Sequence, residues 1–340
     1  LQAALLAARV RDGAIEMEST PESGEFERRW TDFLETYGWR SDQFMEIGSK
    51  TWREDPSTPL TQLKRYIAME DGDDPFAVLR SHADTRERVT MQIEGQLPEP
   101  VRPQFRGMLA MAQQFLPISE DHNFTIDQKF TATMRYAALQ VGEALATQGA
   151  LADAEDIFYL RFEELERFAE TGDTSGFEGA VRQRRREHTK QAAMRAPTMI
   201  GAPPPADAPP NPLVEKFFGV GLVPSTDVNV VTGHPCSAGT VTGIARIVPT
   251  LADADKLTPG DILVCRMTMP AWTPLFGVAG AIVADSGGPL SHCAIVAREY
   301  GIPCVAGTVN GTTVLRDGMR IRVDGDTGIV TVLSDKPQRG

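Results

Sequence analysis

Cysteine is scarce: four residues in a chain of 340. Cys236, Cys265, Cys293 and Cys304 form no C-x-x-C pair, and none stands near a histidine at a zinc-finger spacing. A disulfide scaffold and a cysteine-rich zinc module are therefore excluded. The four lie mostly in apolar stretches and read as reduced core thiols of a cytoplasmic protein. No uninterrupted apolar run approaches the roughly 20 residues that a spanning helix needs, and no signal peptide is visible. There is no Gly-Lys dipeptide, which removes a Walker A loop. Cations are in deficit, with 34 Lys and Arg against 46 Asp and Glu, a net charge of −12. That balance argues against bulk nucleic-acid binding and against an anionic membrane surface. One basic run, residues 182–188 (Arg-Gln-Arg-Arg-Arg-Glu-His), opposes the trend and reads as the solvated face of a helix.

What remains is the composition of an ordinary globular protein, 41% hydrophobic and 24% charged, long enough for two domains. The first residues, Leu-Gln-Ala-Ala-Leu-Leu-Ala-Ala, already resemble a helix interior, so a fragment or a processed product is expected.

The chain changes character near residue 200. Segments 16–37, 75–94, 101–115, 126–147 and 152–170 are rich in Ala, Leu, Met, Glu, Gln and Arg, with apolar residues three and four apart. Asp127 suits an N-cap and Gly149 a stop. Residues 1–196 thus read as an all-helical domain. Residues 197–212 hold seven prolines, which cannot sustain a helix and favour an extended spacer; the linker is placed at 197–218. From 219 to 340 the pattern turns to period two, with strands expected at 240–248, 261–265, 281–284, 304–306, 320–323 and 329–333. One helix, 291–300, lies among them, closed by Gly301 and then Pro303. The expected fold class is α+β and multidomain, a helical half followed by a compact α/β half.

The most informative stretch runs from Asp285 to Gly307. A strand ends at Ala284, Gly287 and Gly288 permit unusual backbone, Pro289 suits a turn, Ser291 can cap, and His292 falls in the first helical turn. Unpaired amides and a positive dipole end favour an anion there and disfavour imidazolium. His292 is therefore expected to stay neutral and nucleophilic, with the amides and the Ser291 hydroxyl available to phosphoryl oxygens. Spacing alone equally allows a histidine that merely packs at a helix start.

The run Gly287-Gly288-x-x-Ser291-His292-Cys293-Ala294-Ile295-Val296-Ala297-Arg298-Glu299-x-Gly301-Ile302-Pro303 resembles the phosphohistidine signature of the PEP-utilising enzymes. Four further blocks follow the same family in order: Ser237 to Arg246, Pro259 to Val264, Thr268 to Phe276, and Asp317 to Val330. The resemblance covers roughly 219–334. It departs at Cys293, where Ala or Ser is commoner. It implies a swivelling domain in which His292 is phosphorylated, supported by Gly287, Gly288, Ser291 and Thr268.

A helical domain followed by the histidine domain resembles the order in rifampin phosphotransferase and phenylphosphate synthase-like proteins, whereas a barrel follows in PEP synthase and pyruvate phosphate dikinase. Blocks around Arg40, Trp52-Arg53, Glu120 to Asp127, Arg135 and Glu155 to Leu160 carry weaker echoes of substrate-side domains. Transfer to a hydroxyl needs a base, for which His122 or Asp127 could serve, and cations, for which Arg40, Arg53 or Arg135 could serve. Trp52 and Phe124 could wall an apolar acceptor, while the Glu155 to Leu160 block reads as a helix cap followed by core.

ATP and Mg2+ are implied on a separate ATP-grasp domain, upstream or on a partner subunit, and no metal site is expected on this chain. The implied function is an ATP-dependent, dikinase-type phosphotransferase acting on a small hydroxyl acceptor, with an oligomer allowed. Two rivals stay open: a PEP synthase-like subunit whose barrel is on another chain, and a non-catalytic docking or regulatory module.

Overall fold

The computed structural model describes residues 2–43, 45–68, 75–115, 117–194 and 225–334. The proline-rich linker expected at 197–218 lies outside the described residues. The described residues group into two compact units. The first draws on Leu1–Phe26, Pro56–Asn123 and Ala206–Gly340, the second on Glu27–Asp55 and Phe124–Pro205.

The helical part begins with α1 (Gln2–Ala7), followed by β1 (Arg9–Arg11) and β2 (Ala14–Glu16). These two strands pair antiparallel. The all-helical expectation missed this hairpin, although Asp12-Gly13 at its tip is a strong turn signal. Both residues take positive φ, 49° and 77°, as a two-residue turn requires. Next come α2 (Ser23–Tyr37), α3 (Ser57–Ala68), α4 (Pro75–Gln96), α5 (Arg102–Phe115) and α6 (Ile118–His122). A π-helical turn, Asn123–Gln128, leads into α7 (Lys129–Thr147). Asp127 therefore sits inside a continuing helix and is not its N-cap; Gln128 precedes α7 in helical conformation with no side-chain cap. Gly149 ends the run at φ 74°, as expected. The expected helix 152–170 breaks into a 3-10 turn, Ala154–Tyr159, and α8 (Phe162–Thr171), followed by α9 (Phe177–Ala192). Asp153 caps the 3-10 turn, accepting from the Glu155 amide at 2.8 Å. The core of the second unit is Leu145, Leu151, Ile157, Phe177 and Val181.

The C-terminal residues form one eight-stranded sheet. In chain order its strands and helices are β3 (Val230–Thr232), β4 (His234–Ser237), β5 (Thr240–Ile247), β6 (Ile262–Cys265), α10 (Thr273–Phe276), β7 (Ala281–Ala284), α11 (His292–Tyr300), β8 (Cys304–Ala306), α12 (Gly311–Val314), β9 (Arg320–Asp324) and β10 (Ile329–Ser334). The spatial order is β3-β10-β9-β5-β6-β7-β8-β4. β5, β6, β7 and β8 run parallel; the other pairings are antiparallel. β3 and β4 at the two edges escaped the sequence reading, being short and interrupted by Gly233 and Pro235.

β6, β7 and β8 are buried on both faces, and their side chains alternate between two cores. Leu263, Cys265, Ile282, Ala284, Cys304 and Ala306 join Trp272, Leu275, Phe276 and the inner face of α11 on one side. Ile262, Val264, Ala281, Val283 and Val305 join Leu315, Ile321, Val323 and Val330 on the other. The fold is α+β and multidomain. Among the described residues no helix is long and apolar enough to cross a membrane. Ile282 is fully buried beneath α11. Ile282→Ala should destabilise the sheet by about 2–5 kcal/mol, the usual cost of a core cavity. A lowered urea midpoint would register this, and an unchanged midpoint would contradict the packing described.

Candidate functional site

The parallel pairing of β6 with β7 brings two loops out at the same edge of the sheet. Cys265 and Ala284 are partners at the strand ends. The ladder continues past them: the Asp285 amide donates to the Cys265 carbonyl at 3.0 Å and the Ser286 amide to the Arg266 carbonyl at 2.9 Å. Thr268 and His292 lie just beyond, on the two adjoining loops.

The β7–α11 loop is anchored by Asp285, which is buried. Its carboxylate accepts from Thr308 Oγ1 at 3.0 Å, from the Thr312 amide at 2.9 Å and from the Thr312 hydroxyl. Gly287 then turns at φ 110°, a conformation closed to most side chains. Ser291 holds the N-cap position of α11 but does not cap it with its side chain. Its hydroxyl donates to the Gly288 carbonyl at 2.7 Å and contacts Cys293 Sγ at 3.1 Å. The expectation that this hydroxyl caps the helix is thus corrected: it closes the glycine turn instead. The first-turn amides are left without that partner.

His292 opens α11 and is half-buried. Its Nδ1 lies 3.1 Å from the Thr268 hydroxyl. Phe276 packs edge-on against the ring, with centroids 6.2 Å apart at 89°. Burial pulls the imidazole down to about 4. The neutrality expected from the helix terminus is present, but desolvation is its first cause. Asp285 and Phe276 were not among the candidates; both act on the loop or the ring across chain distances that local spacing does not report.

The candidate acceptor residues separate into two kinds. In the second unit, the Arg40 guanidinium lies 4.5 Å from the Phe124 ring centroid and 5.8 Å from that of Trp52. Burial lowers its pKa. Among the described residues no carboxylate pairs with it. Trp52 is fixed by its Nε1–H donating to Asp42 at 2.9 Å, and Phe33 stacks on it at 6.4 Å. Lys129 Nζ sits 5.1 Å from the Phe124 ring, and Tyr37 packs 5.6 Å from it. Arg40, Trp52 and Phe124 are therefore brought together; the π-helical turn delivers Phe124.

Arg53 and Arg135 are not part of that group. Arg53 donates to the carbonyls of Leu34 at 3.1 Å and Glu35 at 2.7 Å, tying the end of α2, and stacks on Trp39 at 4.3 Å. Arg135 is 1% exposed. It binds Glu54 through Nε and Nη2, Glu155 at 2.8 Å and the Ile47 carbonyl at 3.1 Å. Both were offered as phosphoryl partners; their donors are instead committed to the fold. His122 ends α6, exposed, with Nδ1 2.9 Å from the Ile118 carbonyl, and Asp127 is half-buried in the π-helical turn. The basic run lies on α9, where Arg184 pairs with Glu164 at 2.9 Å and Arg185 with Asp156. Among the described residues no group of three or more His, Cys, Asp or Glu is arranged to hold a metal ion.

Residues 257–328, which carry Thr268 and His292, match the family described as PEP-utilising enzyme, mobile domain. The chain carries a PEP-utilising mobile domain. Residues 1–120 match the rifampicin phosphotransferase fourth domain. Chondramide synthase cmdD of Chondromyces crocatus is 37% identical over 93% of this chain and 8% of that protein. The uncharacterized phosphotransferase YvkC of Bacillus subtilis is 34% identical over 94% of this chain and 38% of its own length. A rifampicin phosphotransferase of Streptomyces sviceus is 31% identical over 89% of this chain and 34% of its own length. The chain thus spans little more than a third of these phosphotransferases and under a tenth of the synthase.

Two outcomes follow. The His292 value lies below the ordinary 6.5, so between about 4 and 6.5 the unfolded chain holds the extra proton and stability falls as the pH falls. An NMR titration should place the His292 ring near 4; a midpoint near 6.5 would refute the buried, neutral ring. Arg135→Met leaves Glu54 and Glu155 without their shared cation and should cost about 3 kcal/mol, the low end for breaking a buried pair because Glu54 is partly exposed. Urea unfolding reads this loss, and an unshifted midpoint would show that Arg135 is not structural.

Proposed function

We propose that this chain is the carrier and acceptor portion of an ATP-dependent phosphotransferase, with His292 as a transient phosphohistidine. The observation that supports the reading most is the ring itself: neutral by burial, hydrogen-bonded at Nδ1 to Thr268, and placed at the amide end of α11. We assign Nε2 as the nucleophile. Its lone pair attacks phosphorus, a P–N bond forms, and the P–O bond to the departing nucleotide product breaks. Gly287 and Gly288 let the loop approach closely, and the positive N-terminal end of α11 stabilises the charge that arrives.

In the second half-reaction an acceptor hydroxyl attacks the same phosphorus, the P–N bond breaks, and the imidazole returns neutral. The acceptor is a small hydroxyl compound received by Arg40, Trp52 and Phe124. The guanidinium faces phosphoryl oxygens and the rings flank an apolar body. His122 or Asp127 takes the hydroxyl proton. The donor, ATP with Mg2+, binds on an ATP-grasp domain or subunit. The histidine domain is a swivelling domain, linked by residues 197–218 to the acceptor half so that the second transfer is intramolecular. The setting is cytoplasmic.

Labelling tests this. With the ATP-grasp part, Mg2+ and 32P-ATP, the full protein should gain acid-labile, base-stable label that His292→Ala abolishes. Thr268→Val should lower the labelling rate up to about tenfold, the worth of one hydrogen bond. Arg40→Ala should leave labelling intact and slow discharge to the acceptor. Label gained from PEP without nucleotide would transfer the protein to PEP synthase-like chemistry. No label under any condition would leave a non-catalytic module.

A further inference from the structure

The histidine domain rests on two helices of the other half of the chain. Residues 56–123, which hold α3 and α4, fall in the same compact unit as residues 206–340. Two points of contact are built from named side chains. Arg65, in the last turn of α3, donates from Nη2 to Asp255 Oδ1 at 3.0 Å. Asp255 lies on a 3-10 turn, Leu251–Lys256, between β5 and β6. His82, half-buried on α4, covers Gly301, the residue that closes α11. A Cβ built on Gly301 would stand 3.0 Å from His82 Cε1, so the ring takes the space that a side chain would need. Gly301 is at φ 65°, and glycine there answers both the turn and the ring.

The ion pair is not built like a core contact. Arg65 is largely buried and Asp255 is exposed. Arg65 Nη1 is buried with no hydrogen-bond partner. A guanidinium drawn out of water onto one carboxylate, with a donor unmet, recovers only part of its desolvation. An ion pair with one partner in solvent contributes little by itself. Arg135 in the second unit differs, since Glu54 and Glu155 both bind it. A contact such as that of Arg65 sets a position and still yields. It also grips α11 by its far end: His292 opens that helix and Gly301 closes it, about 13 Å away at 1.5 Å per residue.

We propose that Arg65, Asp255, His82 and Gly301 form a reversible latch, which parks the histidine domain on α3 and α4 and has to open before His292 reaches the phosphoryl donor. The ion pair sets how often the latch is closed. The fit of His82 on Gly301 sets where α11 seats on α4. A domain that visits two partners must leave whatever holds it between visits, and a hold with an unmet donor and an exposed carboxylate is released at small cost. The consequence for His292 rests on the function proposed above; the latch itself does not.

Spin labels on Glu87→Cys in α4 and Arg316→Cys after α12 report the latch, both positions being exposed and the four native cysteines buried. Pulsed electron paramagnetic resonance on the full-length protein should show a dominant short distance and a minor longer one. Asp255→Ala should raise the longer, open population up to about fivefold, the upper worth of one exposed ion pair. Asp255→Arg, which sets two cations face to face, should raise it further. Arg65→Glu combined with Asp255→Arg should restore the short distance. Circular dichroism confirms that each variant is folded. With the ATP-grasp part, Mg2+ and 32P-ATP, Asp255→Arg should take label faster than the parent. An unchanged distance in Asp255→Arg, or a double reversal that stays open, would overturn the latch. A longer distance without faster labelling would overturn its hold over His292. Should no protein take label, the parent included, the phosphoryl reading fails while the distances still decide the latch.

Discussion

The hydrogen bond between the Thr268 hydroxyl and His292 Nδ1 depends on a pairing that neither residue takes part in. Thr268 follows β6 by three residues, and His292 follows β7 by eight. They meet at 3.1 Å because the two strands are adjacent, parallel and in register at Cys265 and Ala284. Parallel neighbours send their C-terminal loops to the same edge, which is where open α/β sheets keep their sites. Two further backbone bonds carry the ladder into the loops, and Asp285 fastens the second loop to Thr308 and Thr312. The ring is positioned by backbone pairing first and by side chains second.

Two effects act on the imidazole in the same direction. The helix terminus disfavours a positive charge by a modest amount that water screens. Burial beside Phe276 strips away much of the surrounding water, and desolvation is the cause of the depressed value. The glycine turn serves both. It uses up the Ser291 hydroxyl on the Gly288 carbonyl, leaving α11 without a side-chain cap.

Much of the C-terminal half was legible because buried parallel strands leave little freedom of composition. The runs Ile-Leu-Val-Cys and Ala-Ile-Val-Ala, each closed by a change to polar residues and glycine, locate β6 and β7 almost to the residue. Gly301 and Pro303 mark the end of α11 equally well. The edge strands β3 and β4 were not legible, since three or four residues broken by Gly and Pro carry no period. The helical half was harder. Asp127 has the chemistry of an N-cap, yet a π-helical turn runs through it, and Gln128 at its end accepts from the Ser41 amide of a distant loop at 3.3 Å.

Arg40 and Arg135 show why residue type alone could not assign the acceptor side. Both are guanidinium groups held from water, and each lies over an aromatic ring, Phe124 for one and Phe158 for the other at 4.9 Å. What separates them is the neighbourhood of carboxylates. Glu54 and Glu155 converge on Arg135 and satisfy its charge inside the protein, so a phosphoryl group arriving there would have to displace two anions. Arg40 is enclosed by Trp52 and Phe124, whose faces attract a cation weakly and leave its hydrogen-bond donors in the plane of the group. On the proposed reading, an incoming phosphoryl oxygen meets those donors with no carboxylate among the described residues paired to them. A cation kept half-buried against rings costs the fold desolvation energy, and an anionic or developing-anionic partner is what would recover it.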